Sequence, residues 1–287
     1  MAIRRIIVAT IVLVSLTQIN RHRAKAIARR LAIGLCRFSL GWLTPRYRLR
    51  TGPCIVFAPH QDDETLGCGA LIARKRNEGL PVHVVFITDG GASHPGHPRL
   101  SSTAISTMRR QEARTALSIL GVESGAIHFL DAADGTLNHL LAAQECELVA
   151  RITQLLAAIR PDEIFLPCCP DGSSEHDATF GFICRAVGAA GVRPDIWQYP
   201  VWSWWNPMLL IERLIFTTGR CRQPTEDFRP IKAHALEAYR TQTEPTAPWS
   251  EPALPADLVR IFNSDEEFYF RYILPPADSP ATGPRVI

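Results

Sequence analysis

The sequence predicts an α/β protein built on a mostly parallel sheet flanked by helices. Two observations carry this expectation. From Pro53 onward, short runs rich in β-branched and aromatic residues alternate with segments of helical length, which is the signature of βαβ units. Acidic and imidazole side chains gather directly after those runs, at the strand carboxyl ends where open α/β sheets bind ligands. The expected architecture is therefore Rossmann-like. Strands are expected at Cys54–Ala58, Val82–Thr88, Ala126–Leu130, Glu163–Leu166 and Ile196–Val201, and helices at Thr65–Asn77, Thr103–Leu120, Leu141–Ile159, Asp177–Ala189 and Ile231–Thr241.

Before the first strand lies a basic arm, residues 1–50, followed by a body at 51–275 and a tail at 276–287. Ile6 to Leu16 is apolar apart from Thr10 and Ser15 and follows Arg4-Arg5. It is shorter than the roughly 20 residues a membrane span needs and suits a signal-peptide core better, yet no small-x-small cleavage site follows it in the usual place. Arg21, Arg23 and Lys25 come next, then Ile27 to Leu43 with Arg29, Arg30 and Arg37. The first 61 residues hold eleven Arg/Lys and no Asp or Glu; the other 226 hold 20 basic and 28 acidic residues, a net of −8. Two readings of the arm stand open: a segment lying on an anionic membrane surface, or a solvated or core-packed helix pair. Positive charge is heavier after the apolar run, so the body is expected in the cytoplasm, peripheral to the membrane through its arm. The body has no basic stripe with interleaved aromatics, which excludes nucleic acid as a partner. Eight cysteines without a CxxC pair point to a reduced compartment rather than a disulfide framework. The adjacent Cys168 and Cys169 are read as structural.

The first strand runs into Pro59-His60-Gln61-Asp62-Asp63-Glu64. His60 and Asp63 are three residues apart, and a turn there aims both at one ion. Asp62 lies between them, placed to serve as a base. Imidazole and carboxylate are ligands zinc accepts, and a catalytic zinc keeps one position open. The alternative is an ordinary helix N-terminus with acidic first-turn residues. Pro-His-Gln-Asp-Asp-Glu resembles the (Ala/Pro)-His-x-Asp-Asp-Glu signature of the LmbE-like, or PIG-L, deacetylase family, and the likeness extends from about Cys54 to Gln242. It implies an LmbE-like fold, a Zn2+ ion, and removal of the acetyl group from N-acetylglucosamine-type sugars.

Later segments carry the same likeness. The second strand ends in Thr88-Asp89-Gly90-Gly91, and Asp89 is expected to support the site or to bind a substrate hydroxyl. His94 and His97, in the Gly/Pro-rich loop that follows, are either solvated or part of a substrate-facing lid. Arg109 and Glu112 match the family's Arg-x-x-Glu pattern. A guanidinium at a site mouth suits sugar hydroxyls or phosphate, while an Arg109–Glu112 surface pair is the alternative. Phe129-Leu130-Asp131 and Asp134-Gly135 close the third strand. After the fourth strand comes Asp171-Gly172-Ser173-Ser174-Glu175-His176, where relatives show Asp-x-His-x-Asp-His. The resemblance makes His176 the third metal ligand and puts Ser173 where relatives carry a His that assists the oxyanion or the leaving amine. A Ser hydroxyl donates a hydrogen bond but cannot carry positive charge near neutrality. Lys232 to Gln242 resembles the family's late helix, with Tyr239 and Gln242 near the site. Trp197, Tyr199, Trp202, Trp204 and Trp205 are read chiefly as core and rim, with a substrate wall as the lesser reading.

These residues together predict a zinc-dependent N-deacetylase acting on an acetamido sugar, free or linked to lipid or polymer. His60, Asp63 and His176 are expected to hold the metal, Asp62 to act as base, and Arg109, Asp89 and Ser173 to bind substrate, with Glu64 orienting the loop. Two other classes remain open: a catalytically silent sugar-binding protein on this fold, and a metal hydrolase of a non-sugar amide.

Overall fold

The computed structural model describes residues 27–217 and 219–275. The Ile6–Leu16 run and the 276–287 tail lie outside them. The chain divides into two units, Met1–Leu43 and Thr44–Ile287. In the first unit, residues 27–43 form a helix, α1. No helix among the described residues is long and apolar enough to cross a membrane.

The second unit begins as the alternation predicts: β1 (Cys54–Ala58), α2 (Asp63–Asn77), β2 (Val82–Thr88), α3 (Ser102–Ile119), β3 (Ile127–Ala132), α4 (Ala142–Ile159), β4 (Glu163–Pro167), α5 (Ser174–Ala190) and β5 (Asp195–Tyr199). It continues with α6 (Pro207–Phe216), β6 (Arg220–Pro224), α7 (Arg229–Glu237), α8 (Arg240–Thr243), α9 (Ala256–Phe262) and β7 (Glu266–Tyr272). Among the described residues seven strands form one sheet in the order β3-β2-β1-β4-β5-β7-β6. β1 to β5 pair in parallel, and β7 runs antiparallel to both β5 and β6. The sheet is therefore mostly parallel with a two-strand antiparallel edge that the sequence reading did not anticipate. The helix expected over Ile231–Thr241 is in fact two helices, because Tyr239 leaves the helical region with φ −83 and ψ 56.

Every residue of β1 and β4 is buried, as expected for strands covered on both faces. Ile55, Phe57, Val85, Ile87, Ile164 and Leu166 share one face and pack with Ile152, Leu156, Ile183 and Val187 of α4 and α5. The alternate residues turn to the opposite face, where α2 packs with α7. Gly67 lets α2 approach closely, since a Cβ there would overlap the Tyr199 ring. Two buried ion pairs fix the same helix. Glu163 accepts from Lys75 Nζ at 2.8 Å and from the Tyr47 hydroxyl at 2.6 Å. Glu267 of β7 accepts from Lys232 Nζ at 2.7 Å and from the backbone N–H groups of Ala70 and Leu71 at 2.8 and 3.0 Å. From β1 the chain proceeds to β2 on one side and lies against β4 on the other. That reversal opens a crevice at the carboxyl ends of β1 and β4.

Candidate active site

The loop leaving β1 carries His60, Gln61 and Asp62, and α2 begins at Asp63. Asp62 has φ 145 and ψ −30, a backbone state that costs a residue with a Cβ of order 1–3 kcal/mol. Its neighbours hold it there. The Asp62 N–H donates to Glu64 Oε2 at 3.1 Å, and its carbonyl accepts from Leu66 N–H at 2.9 Å. Glu64 in turn accepts from Thr65 Oγ1 and from the Tyr239 hydroxyl. Burial pushes the Glu64 carboxyl up to about 7 against the pull of those donors. Burial also raises Asp62, to about 8, with Arg109 opposing and Asp63 adding to the rise.

His60 Nδ1 and His176 Nε2 each lie 3.3 Å from Asp63 Oδ2, and the three ligand atoms all fall within 4.8 Å of one another. His176 Nε2 is buried without an aligned hydrogen-bond partner. The far nitrogens are both committed. His176 Nδ1 donates to Asp171 Oδ2 at 2.8 Å. Asp171 is held by the N–H groups of Trp202 and Ser203, both at 3.0 Å, and by the Ser203 hydroxyl. His60 Nε2 lies 2.7 Å from Glu175 Oε2 and 3.2 Å from Asp134 Oδ1. Carboxylates behind both imidazoles fix tautomer and ring orientation, as partners of metal-bound histidines do. An orphaned buried nitrogen beside a second imidazole and a carboxylate oxygen is a donor set that fits zinc with a position left open. Burial disfavours the charged imidazoles, but the carboxylates win: His60 is held well above 6.5 by Asp134, Asp63 and Glu175, and His176 is raised to about 9 by Asp63 and Asp171. Burial alone would raise Asp63, and the pull of His176 and His60 drives it down instead.

A cavity of about 640 Å³ opens over these groups, with Arg109, Ser173, Trp202, Gln242 and Leu254 in its wall. Arg109 is buried. Its Nη2 lies 3.4 Å from Asp62 Oδ2 and donates to the Gln61 carbonyl at 2.8 Å. Glu112 does not pair with it at the surface; it accepts from the Thr241 N–H and hydroxyl at 2.9 and 2.7 Å. Ser173 stands at the N-cap of α5, facing the cavity. Asp89 is not brought into the wall. Its Oδ1 accepts from the N–H groups of Gly91 and Asp134, at 3.0 and 3.2 Å, so it supports Asp134 rather than meeting a substrate directly. His94 and His97 also stay out of the wall. They bond to Thr246 Oγ1 and the Ala247 carbonyl, at 3.2 and 2.7 Å, and both rings lie against Trp249. Tyr239 acts on the site only through Glu64, whereas Gln242 reaches the cavity. Sequence reasoning gave no role to Asp171; its signal was its place five residues before His176. The carboxylates of Asp134 and Glu175 meet His60 only in three dimensions.

The family model described as GlcNAc-PI de-N-acetylase, PIG-L, matches residues 55–187. The uncharacterized deacetylase YaiS of Escherichia coli (strain K12) is 25% identical over 192 residues, 65% of this chain and 90% of YaiS. N,N'-diacetylchitobiose deacetylase from Pyrococcus horikoshii, solved with its inhibitor, gives a TM-score of 0.56 at 19% identity over 79% of this chain and 88% of its own. GalB, the 4-carboxy-2-hydroxymuconate hydratase of Pseudomonas putida KT2440, gives 0.58 at 13% identity over 81% of this chain and 100% of its own. At these identities the solved structures speak for the fold alone, and a deacetylase and a hydratase share it.

Proposed function

We propose, from the match of residues 55–187 to the GlcNAc-PI de-N-acetylase (PIG-L) family model, that the chain is a zinc-dependent N-deacetylase of an acetamido sugar or sugar conjugate. The observation that carries this reading is the convergence of His60 Nδ1, Asp63 Oδ2 and His176 Nε2, with a partnerless nitrogen among them. Zinc held by these atoms would supply Lewis-acid polarisation of the amide carbonyl and a bound water of lowered pKa. Asp62 accepts the proton of the attacking water, in a pose set by the Glu64 clamp behind it and by Arg109 at its side. Once the water oxygen has bonded to the acyl carbon, Asp62 returns that proton to the amide nitrogen, the C–N bond breaks, acetate departs, and the amine stays on the sugar. Arg109 and Ser173 bind sugar hydroxyls, and Trp202 with Leu254 offers an apolar wall to the ring face. Asp89 contributes by holding Asp134 against His60. An open cavity of this size also accommodates a lipid- or polymer-linked sugar.

Ser173, standing where relatives carry a His, favours one second reading: a sugar-binding protein that does not turn over. The separating experiment incubates the zinc-loaded full chain with acetamido sugars and their lipid conjugates and assays released acetate. Acetate from at least one of them is the expected result. Sugar binding by calorimetry with no acetate from any would select the silent binder, and acetate only from non-sugar amides would select the third class.

A further inference from the structure

Helix α1 carries two apolar faces. Ile33, Cys36 and Leu40 are buried. Ile27, Leu31, Leu35, Phe38 and Trp42 follow one another at steps of four, four, three and four, which lines them up along a single helical stripe. Each of the five is between 58% and 80% exposed, and the Phe38 and Trp42 rings lie together with centroids 6.1 Å apart. A stripe of this length is not the scattered exposure that ordinary surfaces show. It marks a face that something covers.

Charge identifies the occupant. Residues 1–43 contain eight Arg/Lys and not one Asp or Glu. A second copy of the helix would bring the same charge to the same stripe and be repelled. An anionic lipid surface offers apolar chains to the stripe and opposite charge to its flanks, with Trp42 placed where aromatic rings favour the headgroup level. Its described part carries Arg29, Arg30 and Arg37, and each of those charges is costly at the centre of a bilayer. The helix therefore lies in the plane of the surface rather than across it. We propose that α1 is an interfacial helix whose Ile27–Leu31–Leu35–Phe38–Trp42 stripe inserts into an anionic lipid leaflet. This rests on the arm alone and stands or falls independently of the chemistry of the cavity.

The full chain should sediment with vesicles of phosphatidylglycerol and phosphatidylcholine and bind vesicles of phosphatidylcholine alone far more weakly. Leu31→Ser/Leu35→Ser/Phe38→Ser should lower partitioning into the anionic vesicles at least about tenfold, with an unchanged circular-dichroism melt. Vesicles brominated on the acyl chain near the headgroup should quench tryptophan fluorescence, and the conservative Trp42→Phe variant should lose most of that quenching. Undiminished sedimentation of the triple variant overturns the proposal and leaves residues 1–26 as the anchor. Equal binding to neutral vesicles overturns the anionic assignment. Quenching that survives in Trp42→Phe overturns insertion of the stripe. A fall in the light-scattering mass of the triple variant without loss of sedimentation also overturns it, and assigns the stripe to a second copy.

Discussion

Asp62 and Asp63 are neighbours in sequence with the same side chain, yet their surroundings set them different tasks. Asp63 touches both imidazoles, while Asp62 faces Arg109 and sits on a strained backbone held by Glu64. Asp62→Asn keeps the shape but cannot accept a proton. It should retain zinc and lose about a hundred- to ten-thousandfold in turnover. Near-normal acetate release by that variant would remove Asp62 from the chemistry. His176→Ala should instead lose most of its zinc by elemental analysis, because it removes one of the three converging donor atoms. Unchanged zinc would take His176 out of the ligand set. At this scale the contiguous cluster was open to reading, since His60, Asp62 and Asp63 stand close together in sequence at the end of a single strand. Asp171, Asp134 and Glu175 were not, because their work depends on which imidazole nitrogen each one meets.

Among the elements, α2 depends on partners far along the chain. Lys232 and Glu267 are fully desolvated, and Lys232 also donates to the Leu66 carbonyl at 2.7 Å. Lys232→Met leaves the Glu267 carboxylate buried without its cation and should cost about 3–5 kcal/mol in urea unfolding. Lys232→Met/Glu267→Leu should recover part of that loss, and a double variant no better than the single one would show that the pair is not the cause. The β2–β3 pair carries a pH signal of its own. His83 and His128 stack with Nδ1 and Nε2 3.2 Å apart, and burial lowers both below the usual 6.5, with mutual repulsion adding to it at His83. The unfolded chain thus takes up these protons first as pH falls. The stabilisation is fully present above pH 6.5 and is lost on descending from there to the lowered folded values. His83→Gln should flatten that acid-side decline in melting temperature, and an unaltered slope would exclude the pair. The parallel strands were legible because each is a compact apolar run between helices. β6, Arg220-Cys-Arg-Gln-Pro, is mostly polar and gains its place only by pairing with β7. The split of α7 from α8 follows from Tyr239 turning its hydroxyl to Glu64, a partner 175 residues away.

For the whole molecule, charge separates a basic arm from an acidic body. Deleting Met1–Leu43, the first compact unit, should leave a protein that melts cooperatively, keeps its zinc and releases acetate, yet no longer sediments with anionic vesicles. Retained sedimentation would place the anchor in the body, and loss of folding would show the arm to be part of the core. The segment matched by family likeness, 55–187, contains His60, Asp63 and His176 with the carboxylates behind both imidazoles, but not the groups that hold Glu64 and α2 from the far end of the chain. Tyr239, Lys232 and Glu267 all come later, and β7 is the last strand in sequence among the described residues. A ribosome making this chain therefore finishes the reactive residues long before it makes the strand that steadies them. Until β7 is threaded between β5 and β6, Lys232 and the backbone of α2 are without the Glu267 carboxylate that ties them together.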